Sequence, residues 1–157
     1  MFFEEKEVLD SFSYGVYVVS SRRGDAINAM TMRLVSHLPT RPARLSLVMR
    51  KRCLTHEFIC ESRVFAVSVL AQGQELIAGH FGLRSGRNVD KFVGIEYRRG
   101  CLGAPILEDC RAFLECCLIA SHDMGNSVLL LGEIVDAGKG ALHSHSSLLY
   151  RKDDYYG

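Results

Sequence analysis

The chain is poor in every feature that would take it out of the ordinary globular class. Only three prolines occur in 157 residues and 48% of the residues are apolar, a composition unlike that of disordered chains. Neither sign of charge dominates: nineteen Lys and Arg face eighteen Asp and Glu, a formal net charge of +1. That balance supplies no general electrostatic pull toward nucleic acid or an anionic membrane, so neither is an expected partner. No apolar run approaches the roughly 18–20 residues that a bilayer-spanning helix needs. The opening segment Met-Phe-Phe-Glu-Glu-Lys-Glu is acidic where an export signal is basic and then apolar, so a cytoplasmic location is expected. Internal repeats, low-complexity tracts and linkers are missing too, and residues 1–157 are expected to form a single domain.

Two chemical signatures are also absent. Cysteines stand at 53, 60, 101, 110, 116 and 117, and no two are spaced as C-x-x-C, which argues against a structural zinc site or a thioredoxin-like pair. Reduced, mostly buried thiols are expected, with Cys53 and Cys101 the more reactive candidates because their neighbours are polar or glycine. No G-x-G-x-x-G follows a strand, which disfavours a Rossmann cofactor site. His143 and His145 share one side of an extended segment but lack a third ligand, so no metal is expected. His122-Asp123 has no accompanying nucleophile.

Strand signals dominate what is present. Tyr14–Ser21 is aromatic and β-branched, and Gly24-Asp25 follows it as a hairpin turn. Ala26–Leu38 reads as one returning strand. Leu45, Leu47 and Met49 alternate with polar residues in a half-buried third strand. A short helix follows, with Thr55 as N-cap and Leu54 and Ile59 as a hydrophobic staple. Val64–Leu70 is a fourth strand. Gln74–Phe81 is a second short helix, with Leu76, Ile77, His80 and Phe81 on its apolar stripe and Gly82 as its stop. Beyond a polar loop at Arg84–Val89, strands are expected near Ile95–Arg99, Phe113–Ser121 and Val128–Ala137. A turn at Gly138–Gly140 and a short strand at Leu148–Arg151 complete the pattern. Many short strands with two inserted helices predict a mainly antiparallel barrel.

Three clusters could carry chemistry. In Asn28-Ala29-Met30-Thr31, Asn and Thr can hydrogen-bond a planar heterocycle while Ala and Met offer flat apolar contact. In Arg50-Lys51-Arg52-Cys53-Leu54-Thr55, three cations run into a helix start, where unpaired N–H groups and partial positive charge suit a phosphate. In Ser85-Gly86-Arg87-Asn88-Val89-Asp90-Lys91-Phe92, Gly86 permits close backbone approach, and Ser85 and Lys91 can reach an anionic oxygen while Phe92 anchors the loop. Taken singly, each also reads as a solvated strand face, a basic turn or a polar surface loop.

Taken together and in order, these segments resemble the flavin reductase-like, FMN-binding split-barrel family, which includes flavin and ferric reductases, flavoredoxins and flavin domains fused to rubredoxin. The resemblance runs from about Phe12 to about Ala137. It is carried by Y-G-V-Y-V-V-S-S, N-A-M-T, K-R-C-L-T, F-A-V-S-V-L, S-G-R-N-V-D-K-F, A-P-I-L with L-E-C, and L-G-E-I-V-D-A. It implies a Greek-key split β-barrel with a few short helices, a homodimer, and FMN in a groove near the dimer interface. Asn28, Ala29, Met30 and Thr31 would lie along the flavin ring, with Met49 counted among the cofactor contacts. Lys51 and Thr55 would hold the phosphate, and Ser85, Gly86, Lys91 and Phe92 would close over the ribityl-phosphate side. The implied activity is an oxidoreductase passing electrons, with NAD(P)H a candidate donor, to free flavin, ferric complexes or a redox protein. The alternative is a flavoredoxin-like carrier reduced by a protein partner. Many family reductases carry a His before the Gly-Glu-Val strand that positions the nicotinamide; here Ser127 stands in its place, before Leu131-Gly132-Glu133-Ile134.

Overall fold

Hydrophobic alternation along the chain resolves into nine strands and three short helices, in a computed structural model that describes residues 3–152. The elements are α1 (Phe3–Leu9), β1 (Tyr17–Arg23), β2 (Ala26–Met32), β3 (Val35–Leu38), β4 (Arg44–Arg50), α2 (Leu54–Ser62), β5 (Val64–Val69) and α3 (Glu75–Gly82). They are followed by β6 (Tyr97–Arg99), β7 (Pro105–Leu107), β8 (Ala112–Asp123) and β9 (Ser127–Lys139). Seven strands form one antiparallel sheet in the order β2-β1-β5-β8-β9-β4-β3, and β6 pairs with β7 separately. The fold is therefore mainly β, as the strand pattern predicts.

The single strand expected over Ala26–Leu38 is two strands, and the difference shapes the molecule. β2 and β3 lie at opposite edges of the sheet, yet only Arg33 and Leu34 separate them. Three Cα–Cα steps of about 3.8 Å reach at most about 11 Å, so the sheet must curl until its two edges nearly meet. The bend itself is held by Val35 N–H donating to Arg33 O (3.0 Å) and Val48 N–H donating to Leu34 O (3.1 Å). The result is a rolled sheet, open along the seam between β2 and β4.

Inside the roll, Val19, Leu45, Leu47, Phe65, Val67, Cys116 and Leu130 form one core; outside it, Val18, Ala66, Leu70, Phe81, Ile106 and Cys110 belong to a second. β5 separates them and is buried on both faces, which is why Val-Phe-Ala-Val reads as a continuous apolar run and not an alternation. Cys116 and Cys117 point to opposite faces, one buried and one half-buried, as strand periodicity requires. Burial pushes the Cys110 thiol up to about 11 and the Cys116 thiol up to about 12, leaving both as inert core groups. The expectation of mostly buried thiols is corrected: Cys60 and Cys101 are exposed, and Cys53 and Cys117 are half-buried.

Other local expectations shift. β1 begins at Tyr17, because Gly15 makes only an isolated bridge to Leu149. The N-cap of α2 is Cys53, so Leu54 is its first residue and no staple forms; Ile59 packs inside the barrel. In α3, Leu76 is 89% exposed, since Ala78 and Phe81 are the residues that meet the core. Gly82 is the last helical residue and Leu83 the C-cap. The strand near Ile95 is limited to β6, α1 and β7 add to the expected elements, and the final strand reduces to isolated bridges at Ser147 and Leu149. Gly138 lies inside β9, ahead of the turn.

Gly132, in the middle of β9, is where the Phe65 ring meets the sheet. A Cβ there would overlap Phe65 Cζ and Cε1 and stand 3.0 Å from Cys116 Cβ. Gly132→Ala is therefore expected to destabilise the fold by about 1–3 kcal/mol through overpacking. Chemical denaturation should show a lower midpoint at unchanged m-value, and a midpoint equal to wild type would contradict this packing.

Candidate functional site

The three clusters singled out in the sequence meet where the barrel seam reaches α2. Asn28, on edge strand β2, is 4% exposed and donates from Nδ2 to Oγ1 of Thr55 (2.9 Å), itself fully buried as the second residue of α2. Thr55 therefore does not cap its own helix; it ties the helix start to β2. Gly86 packs against the same Asn28, and a Cβ at Gly86 would overlap its side-chain amide. Only glycine lets the loop after α3 approach this closely.

Lys91 closes the arrangement. Its side chain is 4% exposed, and Nζ donates to Ala29 O (2.8 Å) and Phe81 O (2.9 Å). An ammonium has three N–H groups, so one is left for a ligand. Burial lowers its pKa to about 8, because two neutral carbonyls replace water less well than a counter-ion would. Nearby, Arg87 straps the loop to α2 by donating to Arg52 O (3.0 Å) and pairing with Glu57, whose carboxyl it holds below the usual range.

Two cavities run along β2 and join at Met30, Thr31, Cys53 and Gly82. One, of about 340 Å³, is walled by Asn28, Thr55, Ser85, Gly86 and four cations, Arg52, Arg84, Arg87 and Lys91. The other, of about 310 Å³, is walled by apolar side chains, among them Val48, Met49 and Ala78, with Ser127 at its rim. Thr31 Oγ1 donates to Ala78 O (2.6 Å), fixing α3 against β2 across the junction. A cationic pocket rich in N–H donors, continuous with an apolar slot, fits a flat ring carrying a phosphate.

Of the residues expected at the site, Asn28, Met30, Thr31, Met49, Thr55, Ser85, Gly86 and Lys91 line this groove. Ala29 does not; its side chain is in the outer core, and its carbonyl serves Lys91. Phe92 is buried against Phe81 and Tyr97, with ring centroids 5.3 and 4.8 Å away, and faces a separate cavity beyond Gly86. Lys51 is not in the groove wall: its ammonium pairs with Asp123 at the tip of the β8–β9 hairpin. Arg84 escapes the sequence reading, although it directly precedes the Ser85-Gly86 motif. His143 and His145 join no cluster; among the described residues, three metal-type ligands converge only at Cys101, Glu115 and Asp136. There Glu115 already accepts N–H bonds from Leu102 (2.9 Å) and Ala104 (3.2 Å) and faces the Cys101 thiol (3.1 Å).

The chain is similar to known proteins in sequence and in fold. The family model of the flavin reductase like domain matches residues 9–157. A high molecular weight rubredoxin of Moorella thermoacetica is 35% identical over 85% of this chain, which spans 59% of that protein's length. A ferric-chelate reductase (NAD(P)H) of Archaeoglobus fulgidus is 32% identical over 83% of this chain and 79% of its own. Among solved structures, the NADH:FAD oxidoreductase of Streptomyces globisporus superposes with a TM-score of 0.84 at 27% identity, covering 93% of this chain and 86% of that one. Flavoredoxin of Methanosarcina acetivorans does so with a TM-score of 0.82 at 26% identity, covering 92% and 83%. The rolled antiparallel sheet and the family match lead to one conclusion: the chain belongs to the flavin reductase like domain family, whose members are flavoproteins and oxidoreductases.

Proposed function

We propose that the chain binds FMN in the β2 groove, one per chain, and passes electrons from NAD(P)H to free flavin, a ferric complex or a redox protein. The observation that carries this reading is a cationic pocket, its wall tied together by Asn28, Thr55 and Gly86, that meets an apolar slot at Met30, Thr31, Cys53 and Gly82. Thr55, Arg52, Arg84, Lys91 and the Ser85-Gly86 backbone hold the phosphate; Met30, Thr31 and Met49 flank the ring. Bound flavin supplies the redox chemistry, and the protein supplies orientation and electrostatics. Charge recognition falls to Lys91 and the arginines, since Lys51 is committed to Asp123.

A second reading, a carrier reduced by a protein partner, is favoured by Ser127. It sits at the rim of the apolar slot, where the family resemblance expects a His. A hydroxyl cannot stack on a nicotinamide, and poor ring placement slows hydride transfer. We further propose a homodimer, because β8, β9 and their hairpin expose Ile119, Met124 and Val135 to solvent.

FMN titration followed by flavin fluorescence should saturate at one per chain. Lys91→Met removes a charge-assisted hydrogen bond and should weaken FMN by about 10–100-fold, corresponding to about 1.5–3 kcal/mol, while riboflavin, which has no phosphate, changes little. The Lys91 ammonium loses its proton as pH rises through about 8, so wild-type FMN affinity should fall from pH 7 to pH 9 and the Lys91→Met affinity should not. A protein that titrates no flavin refutes the reading. In anaerobic stopped-flow, NADH and NADPH should bleach wild-type flavin slowly, and Ser127→His should bleach faster at FMN affinity within about twofold. Slow bleaching in both proteins would instead support the carrier. Sedimentation equilibrium at micromolar protein should return twice the 17.5 kDa chain mass, and a single-chain mass would refute the dimer.

A further inference from the structure

The apolar slot does not end in apolar residues. Past Met32 its wall is completed by Arg33 and Tyr150, and across the seam by Arg50. The Arg33 guanidinium lies between two aromatic rings, 4.8 Å from the Tyr14 centroid and 4.7 Å from the Tyr150 centroid. A guanidinium held in this way keeps its in-plane N–H fork free and has little rotamer freedom left to lose on binding. Neither Arg33 nor Arg50 forms an ion pair among the described residues, whereas Arg23, Lys51 and Arg87 all do. Two cations without an ion pair thus line the slot, Arg33 past Met32 and Arg50 across the seam. β2 separates Arg33 from the phosphate pocket: Asn28 and Arg33 are five residues apart, about 17 Å along an extended strand.

We propose that this second cationic end binds an oxyanion, phosphate or carboxylate, of the substrate that exchanges electrons with the flavin, with Arg33 as its preorganised anchor and Arg50 as its partner. The substrate's charged part then rests on the Tyr14–Arg33–Tyr150 stack while its reactive part stays in the slot. The proposal rests on the reading of the groove as a flavin site for the identity of the ligand, but not for the presence of an anion site.

Two sources of such an oxyanion are separable by equilibrium binding, without turnover. NADP⁺ stands for a phosphorylated dinucleotide, and gallium(III) citrate is a redox-inert stand-in for a ferric carboxylate chelate. Each is titrated calorimetrically into the flavin-loaded and the flavin-free protein. Arg33→Met keeps a flexible side chain to pack between the two tyrosines and removes the charge together with its N–H fork. The expected result is that at least one probe binds wild type and loses roughly fivefold or more in affinity in Arg33→Met. Raising the salt concentration should weaken wild type more steeply than the variant, which keeps only Arg50, with FMN affinity and melting temperature unchanged. The probe affected identifies the source. Failure of both probes to bind, equal binding by the variant, or a parallel loss of FMN affinity each overturns the proposal. Anion binding to flavin-free protein that takes up no FMN would uphold the anion site while refuting the flavin reading.

Discussion

The two-residue link between β2 and β3 governs the architecture. Strands at opposite edges of a seven-stranded sheet cannot be joined by Arg33 and Leu34 unless the sheet rolls up. Once rolled, the sheet has an inside, filled by Phe65, Leu47, Leu130 and their neighbours, and an outside, covered by α3 and the segment from Phe92 to Cys110. It also has a seam, because β2 and β4 come close without pairing. The groove lies along that seam. An edge strand normally exposes unpaired backbone groups as a liability; here α2, α3 and the Ser85–Lys91 loop cover β2 and turn its edge into a wall of the site.

Buried and half-buried polar groups that hydrogen-bond one another or the backbone hold this arrangement together. Asn28 and Thr55 hydrogen-bond each other, Thr31 bonds Ala78, and Lys91 bonds Ala29 and Phe81. All but the Lys91–Phe81 bond link segments distant in sequence, and each would leave a costly unpaired group if its partner moved. These bonds tie β2, α2, α3 and the Ser85–Lys91 loop together around the cationic pocket. Its cations divide into two sets. Lys51 and Arg87 are neutralised by Asp123 and Glu57, and serve the hairpin tip and the loop strap. Lys91, Arg33, Arg50, Arg52 and Arg84 have no carboxylate partner among the described residues and face the groove.

Much of the architecture and most of the groove are legible in the order of residues. Apolar and β-branched patterning locates β1, β2, β4, β5, β8 and β9, and the mainly antiparallel barrel follows from their number and spacing. Residue chemistry and family resemblance together point to Asn28, Met30, Thr31, Met49, Thr55, Ser85, Gly86 and Lys91, and all of them line the groove. The expectations that fail share a cause. Ala29 is expected on the ring, although alternation puts it on the face opposite Asn28 and Met30. Lys51 is one of three adjacent cations, and which of them faces the groove depends on where Asp123 sits, 72 positions further along. Thr55 reads as a helix cap, a local function, when its partner is Asn28 across the fold.

Local preferences need nothing beyond the residue order: which segments are strands, where glycine must allow close approach, and which residue types gather near a helix start. Those depend on neighbours within a few positions, and such interactions survive in isolation. Sheet closure settles the rest. It bends Ala26–Leu38 at Arg33 to reach the far edge, and it turns Phe92 into the core. It also places Arg33 between Tyr14 and Tyr150, residues from nearly opposite ends of the chain. A strand's edge partner, a cation's counter-ion and a ring's stacking neighbour are set by which distant segments the rolled sheet brings within contact, and no local pattern encodes that distance.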